Sequence, residues 1–149
     1  MKKPKPQGKT QVYYHATPRE NLTSILMQGI KPYWGGVYCS DNPDACLRWI
    51  CFTKQHSKEI AVIPFDADPA SMRLGLDHSP IMTQMILGVS DEGASWVSDN
   101  LISPDSIRFS EIRIHDNPCW NEHSVEQMKE LNRLRKKSDE ENCIDNGGE

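Results

Sequence analysis

Hydrophobic and polar residues follow two different periods along the middle of the chain, and each period predicts its own kind of element. Short runs rich in β-branched and aromatic residues predict five strands, over residues 12–15, 37–39, 59–65, 94–97 and 107–114. Pro64 has no N–H for a strand ladder, so we expect it at a sheet edge or at the end of its strand. The apolar segment 81–89 has no clear period and is compatible with a strand or a short helix.

Three helices are predicted from apolar residues at helical spacing and from the residues that precede them. Thr17 is placed to cap the first helix, with Pro18 as its first residue and Glu20 completing a capping box. Asn42-Pro43 repeats the pattern of cap and proline ahead of the second helix. The third is an amphipathic helix over residues 122–137, with an apolar side made by Val125, Met128, Leu131 and Leu134. This order of elements indicates an α+β fold instead of a regular β-α-β repeat.

Charge divides the 149-residue chain into parts of different composition. Residues 1–10 hold four lysines, two prolines and a glycine, which predicts a flexible basic arm. Residues 11–121 carry a net charge of −5 and have the length of one folded domain. Residues 122–149 carry a net charge of −3, and the stretch 138–149 is predicted to be a disordered acidic tail.

Composition also excludes several classes of protein. The apolar runs are shorter than the ~18–20 residues that a membrane span needs, and no apolar stretch follows the first lysines as in a signal peptide. Five cysteines without a C-x-x-C pair predict reduced thiols in a cytoplasmic protein. The net charge of −4 disfavours sequence-independent DNA binding. His115, Cys119 and His123 have zinc-ligating atoms, but no fourth ligand accompanies them, so no metal site is predicted.

Two junctions between a strand and a helix carry the residues that point to chemistry. Tyr14-His15-Ala16-Thr17 places a histidine near the end of the first strand, where backbone and side-chain donors converge. Gly36-Val37-Tyr38-Cys39-Ser40 places an aromatic ring and a hydroxyl two residues apart, on one face of a strand. Such a face is suited to stacking on a flat ring and to bonding its edge. The alternatives are a purely capping role for Thr17 and a core position for Tyr38.

Taken in order, these motifs resemble the N-terminal half of the ADP-ribosyltransferase fold. The resemblance is to small microbial and phage members whose first strand reads Y-H-[GA]-T, an opening shared by RNA 2′-phosphotransferases and DarT toxins. It extends over residues 12–112, in which 59–63 resemble the central strand and 96–107 the closing segment. It implies an α+β fold with an ADP-ribosyltransferase-like split β-sheet core, two N-terminal helices and a C-terminal helix.

The resemblance also implies a cofactor and a set of binding residues. The cofactor is NAD, whose nicotinamide–ribose bond such enzymes cleave before passing ADP-ribose to a protein or nucleic-acid acceptor. His15 would bind the ribose of NAD, and Thr17 would support that contact or its loop. The backbone of Ala16 would meet the nicotinamide carboxamide. Tyr38 would lie over the nicotinamide ring, and Ser40 would hold the geometry of the second motif.

The catalytic carboxylate is the point at which the sequence departs from the pattern of the family. The family places a glutamate just before an aromatic or aliphatic strand residue, and that slot here holds Ser95, ahead of Trp96. A shift of one gap through Gly93 brings Glu92 to the site, so Glu92 is the predicted catalytic residue. If Ser95 holds the slot, the expected function is a catalytically inactive module that binds a nucleotide or a protein on the same fold.

Overall fold

The computed structural model describes residues 9–33, 35–75 and 95–147, with the backbone alone for residues 142–147. Its strands are β1 Gln11–Pro18, β2 Val37–Ser40, β3 Glu59–Ala67, β4 Met72–Leu74, β5 Ser95–Ser98 and β6 Arg113–Asp116. Its α-helices are α1 Leu22–Gln28, α2 Pro43–Thr53 and α3 Glu122–Gly147. The predicted α+β class is confirmed. Glu92 and the ambiguous segment 81–89 lie outside the described residues, as does most of the predicted basic arm.

The six described strands form one antiparallel sheet in the order β4-β5-β2-β1-β3-β6. Its centre is the long pair of β1 and β3, which stay in register from Gln11 opposite Ala67 to Pro18 opposite Ile60. The outer strand β6 pairs with β3 no further than Val62. Beyond Val62 the outer side of β3 keeps an isolated bridge between Phe65 and Ile107, where the Pro64 carbonyl accepts the backbone N–H of Arg108 at 2.9 Å. Pro64 therefore lies beyond the ladder with β6, which agrees with the edge position expected for a residue without an N–H.

Each face of the sheet packs its own apolar cluster. The larger cluster lies on the face covered by α1 and consists of Tyr13, Ile25, Ile30, Val37, Cys39, Ala61, Ile63, Phe65, Met72, Ile102 and Ile107. The smaller cluster lies under α2 and consists of Ala16, Cys46, Cys51, Ile60 and Val62. Side chains that alternate along a strand point to opposite faces, so β1 sends Tyr13 into one cluster and Ala16 into the other.

The start of the first helix differs from the prediction. Strand β1 continues through Thr17 to Pro18, because it pairs with β3 along its whole length. One turn of 3-10 helix follows, and α1 begins at Leu22 without a side-chain cap. The Thr17 hydroxyl instead accepts a hydrogen bond from Nδ2 of Asn21 (2.9 Å), and Glu20 accepts one from Ser57 (3.0 Å). Pairing with β3 therefore sets the backbone conformation at Thr17, and the predicted helix cap does not form.

The start of the second helix agrees with the prediction. The side chain of Asn42 accepts hydrogen bonds from the backbone N–H groups of Asp44 (2.9 Å) and Ala45 (3.4 Å), and Pro43 is the first helical residue. This cap satisfies donors that every helix leaves open at its N-terminus. The strand predicted over 107–114 is shorter than expected, since Phe109–Glu111 form a 3-10 turn and β6 begins at Arg113.

The C-terminal helix is longer than predicted. It continues past Lys137 to Gly147, so the expected disordered tail is helical over most of its length. The helix contains no proline, and before Lys137 the pairs Glu126–Lys129 and Glu130–Arg133 add ion pairs one turn apart. No helix in the described part of the chain combines the length and the apolar character needed to cross a membrane.

Candidate functional site

The described sheet is divided between β1 and β2. These neighbouring strands pair at a single position, Tyr14 opposite Ser40, whereas β1 pairs with β3 along eight residues and β2 with β5 along four. Beyond that pair, residues 15–17 of β1 and 37–39 of β2 run side by side without a ladder. We call this line the seam. It separates the half-sheet β4-β5-β2 from the half-sheet β1-β3-β6.

The side chain of His15 bridges the seam. Its ring nitrogen Nδ1 lies 2.8 Å from the carbonyl oxygen of Tyr38. Because a carbonyl only accepts hydrogen bonds, Nδ1 carries the hydrogen. Burial lowers the pKa of His15, an effect larger than the opposing one of the bond to Tyr38, so the ring is neutral at neutral pH. Its second nitrogen, Nε2, is then an acceptor, and it has no hydrogen-bond partner among the described residues.

The geometry of the two strands explains which atoms border the seam. Ala16 is buried in the cluster under α2, so its methyl group packs in the core and its backbone lies along the seam. Tyr38 is half-buried and pairs with Val97 of β5. A β-carbon at Gly35 would lie 3.9 Å from the Tyr38 hydroxyl, so this hydroxyl reaches back over the turn before β2. The structure therefore brings His15 and Tyr38 together, and their role as binding residues stays a prediction.

Thr17 and Ser40 have structural partners at the two ends of the seam. Both are buried. Besides its bond from Asn21, Thr17 lies opposite Ala61 of β3. The Ser40 hydroxyl accepts the backbone N–H of Asn42 at 3.1 Å, which links the end of β2 to the cap of α2. These contacts fix the two hydroxyls within the fold, and their role in NAD binding stays a prediction.

Strand β5 brings a further residue to the other side of β2. Ser95 lies opposite Ser40 in the register, so Tyr14, Ser40 and Ser95 form a row across three strands. Ser95 is buried, and its hydroxyl oxygen has no hydrogen-bond partner within the described residues. An unsatisfied buried hydroxyl costs about 1–3 kcal/mol. The sequence predicts the slot of Ser95 but carries no signal for the burial of its hydroxyl, because its environment is made by residues far apart in the chain.

Trp96, the residue after Ser95 in β5, is held by two contacts. Its indole nitrogen donates to a carboxylate oxygen of Asp41 at 3.3 Å, and its ring meets Tyr13 edge-on with centroids 6.3 Å apart. The carboxylate of Asp41 thus lies just past the end of β2. Glu92, the predicted catalytic residue, is outside the described residues, and its role stays a prediction.

A cavity of about 540 Å³ lies away from the seam, between α2 and the loop after β6. Its lining is mostly apolar and includes Leu47, Phe52 and Pro118, with His115 and Cys119 beside them. Among the described residues no three metal-ligating side chains come together, so His115, Cys119 and His123 do not form a cluster. Burial raises the pKa of the lining thiol of Cys51 to about 11, so this thiol stays protonated at neutral pH.

Comparisons with known proteins do not identify a family for this chain. No model of a known protein family matches the sequence. A comparison with curated proteins gave no significant match either.

Proposed function

We propose that the protein is an NAD-dependent ADP-ribosyltransferase that acts on a protein or nucleic-acid acceptor. The observation that carries the proposal is the seam, where the His15 imidazole bonds the Tyr38 carbonyl at 2.8 Å. The family resemblance implies NAD contacts for both residues, and they meet although they lie 23 positions apart. The two half-sheets joined at one pair support an ADP-ribosyltransferase-like split sheet.

The groups along the seam suit the parts of NAD. A ribose hydroxyl can donate to Nε2 of His15, whose other nitrogen is held by the Tyr38 carbonyl. The nicotinamide ring stacks on Tyr38, and the carboxamide meets the backbone of Ala16. Binding these parts at once fixes the nicotinamide–ribose bond relative to the acceptor.

A neutral histidine is the protonation state that this reaction needs. Loss of nicotinamide leaves an electron-poor, oxocarbenium-like ribose, and an imidazolium close to it would oppose that charge. The lowered pKa of His15 keeps the ring uncharged. A carboxylate stabilises the developing positive charge and orients the ribose hydroxyls, and Glu92 is the residue we propose for this role.

Calorimetry with NAD, together with chromatographic detection of released nicotinamide, tests the proposal. His15→Ala should abolish NAD binding, because it removes both the ribose acceptor and the bridge across the seam. His56→Ala is the matched control, since His56 is also half-buried but lies in the turn after α2. If the wild-type protein neither binds NAD nor releases nicotinamide, the proposal is wrong.

The catalytic carboxylate has its own test. Glu92→Gln should leave NAD affinity nearly unchanged and lower nicotinamide release by about 100-fold or more, as for the loss of one preorganised electrostatic group. Asp91→Asn removes a neighbouring charge and serves as the control. Equal rates in the two variants would exclude Glu92 as the catalytic residue.

A second function is favoured by Ser95, which faces Ser40 in the slot where the resemblance places glutamate. In this alternative the protein is a non-catalytic module that binds a nucleotide at the seam. It predicts that NAD binds and that His15→Ala abolishes binding, while no nicotinamide is released and Glu92→Gln changes nothing. NAD binding together with nicotinamide release thus indicates the enzyme, whereas NAD binding without nicotinamide release indicates the non-catalytic module.

A further inference from the structure

Two thiols share the cavity between α2 and the loop after β6. Cys51 lies in the last turn of α2, and Cys119 lies in the loop that leads to α3. Both line the cavity, and Cys119 packs against the apolar cluster to which Cys51 belongs. Both are free thiols. The cavity lies away from the seam, so the chemistry of this pair is separate from the proposed function.

One side chain holds the two cysteines close together. Nδ2 of Asn117 lies 3.2 Å from the carbonyl oxygen of Cys51, and Oδ1 of the same carboxamide accepts the backbone N–H of Cys119 at 2.9 Å. The two backbones are thus separated by one carboxamide group. Disulfides join backbones whose Cα atoms lie about 4.4–6.8 Å apart, which is a spacing of the same order. The thiol of Cys119 is also near enough to add to the effect of burial in raising the pKa of Cys51.

The other two described cysteines differ from this pair. The thiols of Cys39 and Cys46 each donate a hydrogen bond to a backbone carbonyl, at 3.4 and 3.3 Å. Both residues are at most 2% exposed, and neither lines the cavity. Cys119, in contrast, is partly exposed, and within the described residues neither its thiol nor that of Cys51 has a hydrogen-bond partner. An oxidant that enters the cavity therefore meets the thiol of Cys119 first.

We propose that Cys51 and Cys119 are a redox-active pair that hydrogen peroxide oxidises to a disulfide. Cys119, the more exposed of the two, attacks one oxygen of the peroxide as a thiolate. The O–O bond breaks, Cys119 becomes a sulfenic acid, and the other oxygen leaves as water. The sulfur of Cys51 then attacks that of Cys119, the S–O bond breaks, and the thiol proton leaves with the hydroxyl as a second water. Two thiols and one peroxide thus give one disulfide and two waters.

The surroundings of Cys51 suit it to the second step. Burial raises the pKa of this thiol to about 11, so it is protonated at neutral pH and reacts slowly with a peroxide from solution. Its attack on a neighbouring sulfenic acid is intramolecular, and proximity offsets the small thiolate fraction. The bond restricts the unfolded chain from residue 51 to residue 119, so oxidation should raise Tm by roughly 4–16 °C.

Treatment of the full chain with hydrogen peroxide, followed by peptide mapping with mass spectrometry, tests the pair. The wild type should give a peptide that links Cys51 to Cys119, show the rise in Tm, and return to free thiols with dithiothreitol. Cys51→Ala and Cys119→Ala should each abolish both the linked peptide and the rise in Tm. Cys143→Ala, which removes the cysteine near the end of α3, is the matched control and should keep both.

Dimedone, which labels sulfenic acids, tests the order of the two steps. Cys51→Ala should accumulate the label on Cys119, because the thiol that would displace the hydroxyl is absent. Cys119→Ala should leave Cys51 unlabelled although its thiol is still present. Dimedone added to the wild type during oxidation should also label Cys119 and not Cys51, which gives the same readout without a substitution. Circular dichroism before oxidation records whether each variant is folded.

Two results would overturn the proposal. The first is a folded wild-type chain whose Cys119 stays reduced under peroxide, or is oxidised without a bond to Cys51, including a bond to Cys143 or to another chain. The second is a label that appears on Cys51 of the wild type before it appears on Cys119, because the first attack would then belong to the buried thiol.

Discussion

Asn117 ties the loop after β6 to the end of α2, and its removal has a defined cost. This residue is buried, and its Nδ2 lies 3.2 Å from the carbonyl oxygen of Cys51 and 3.0 Å from those of Lys54 and Ser57. Its Oδ1 accepts the backbone N–H of Cys119 at 2.9 Å. Because Nδ2 has two hydrogens, three carbonyls share two donated bonds. Asn117→Asp keeps the acceptor but turns a carboxylate oxygen toward all three carbonyls.

The magnitude follows from those contacts. The Lys54 carbonyl keeps a donor, the backbone N–H of Ser57 at 3.1 Å, so the carbonyls of Cys51 and Ser57 are the acceptors that lose theirs. Each buried acceptor left without a donor costs about 1–3 kcal/mol, so these two lower the free energy of unfolding by about 4 kcal/mol. Asn117→Ala loses these bonds and also the acceptor of the Cys119 N–H, but it adds no charge, and it should lower the free energy of unfolding by about 3 kcal/mol. For a chain of this size, 1 kcal/mol corresponds to about 2–4 °C, so Asn117→Asp should lower Tm by roughly 8–16 °C.

The pH dependence of Asn117→Asp gives a second readout. Burial among carbonyls raises the pKa of the introduced carboxyl above its unfolded value of about 3.9. Protonation then favours the folded state, and the protonated oxygen donates a hydrogen bond again. The destabilisation relative to wild type should therefore shrink as the pH falls from neutral toward that pKa.

Urea denaturation followed by tryptophan fluorescence measures these differences. Asn100→Asp, at an exposed position in the turn after β5, is the matched control and should change the free energy of unfolding by less than about 0.5 kcal/mol. If Asn117→Asp is no less stable than this control, or if its deficit grows at lower pH, the account of this hydrogen-bond network is wrong.

Three further predictions concern the seam and a turn. Burial lowers the pKa of His15 in the folded state, so the titration of this residue makes the protein less stable as the pH falls from about 6.5 through the folded-state pKa. His15→Gln should therefore flatten the dependence of the free energy of unfolding on pH in that window. An unchanged slope in urea titrations would contradict this. Tyr38→Phe should keep NAD affinity within a few-fold, while Tyr38→Ala should weaken it by roughly 5–150-fold in calorimetry, the range for loss of one stacking contact; equal losses would exclude stacking. Gly29→Ala should lower Tm more than Gly35→Ala. Both glycines have a positive φ, but a β-carbon at Gly29 would also overlap the carbonyl oxygen of Ile102. Equal shifts of Tm in calorimetric scans would refute the overlap.

Elements whose stabilising contacts are local could be predicted from the sequence. Helix α2 begins where Asn42-Pro43 predicts, because a cap bonds N–H groups two and three residues ahead. The sequence also singles out the seam residues His15 and Tyr38, since each belongs to a short motif at a junction of strand and helix. In these cases the interaction and its sequence signal lie within a few residues.

Elements that depend on distant partners could not be predicted in the same way. Thr17 reads as a helix cap, yet pairing with β3 keeps it in a strand, because a ladder with a long neighbouring strand stabilises more than one capping bond. The position of Ser95 opposite Ser40 and the bonds of Asn117 to the end of α2 join residues more than 50 positions apart. No local pattern encodes such a partner.

Local sequence patterns were enough to indicate the α+β class, the order of most elements and the two motifs at the junctions of strand and helix; NAD is only what the family resemblance of those motifs implies. Tertiary structure alone decided that β1 and β2 pair at one position and leave a seam, and that the His15 ring crosses it to the Tyr38 carbonyl. The physical reason is the range of the interactions. Propensity, capping and periodicity act over one or two turns of chain, whereas sheet order, register and burial are set by which distant strands pack together.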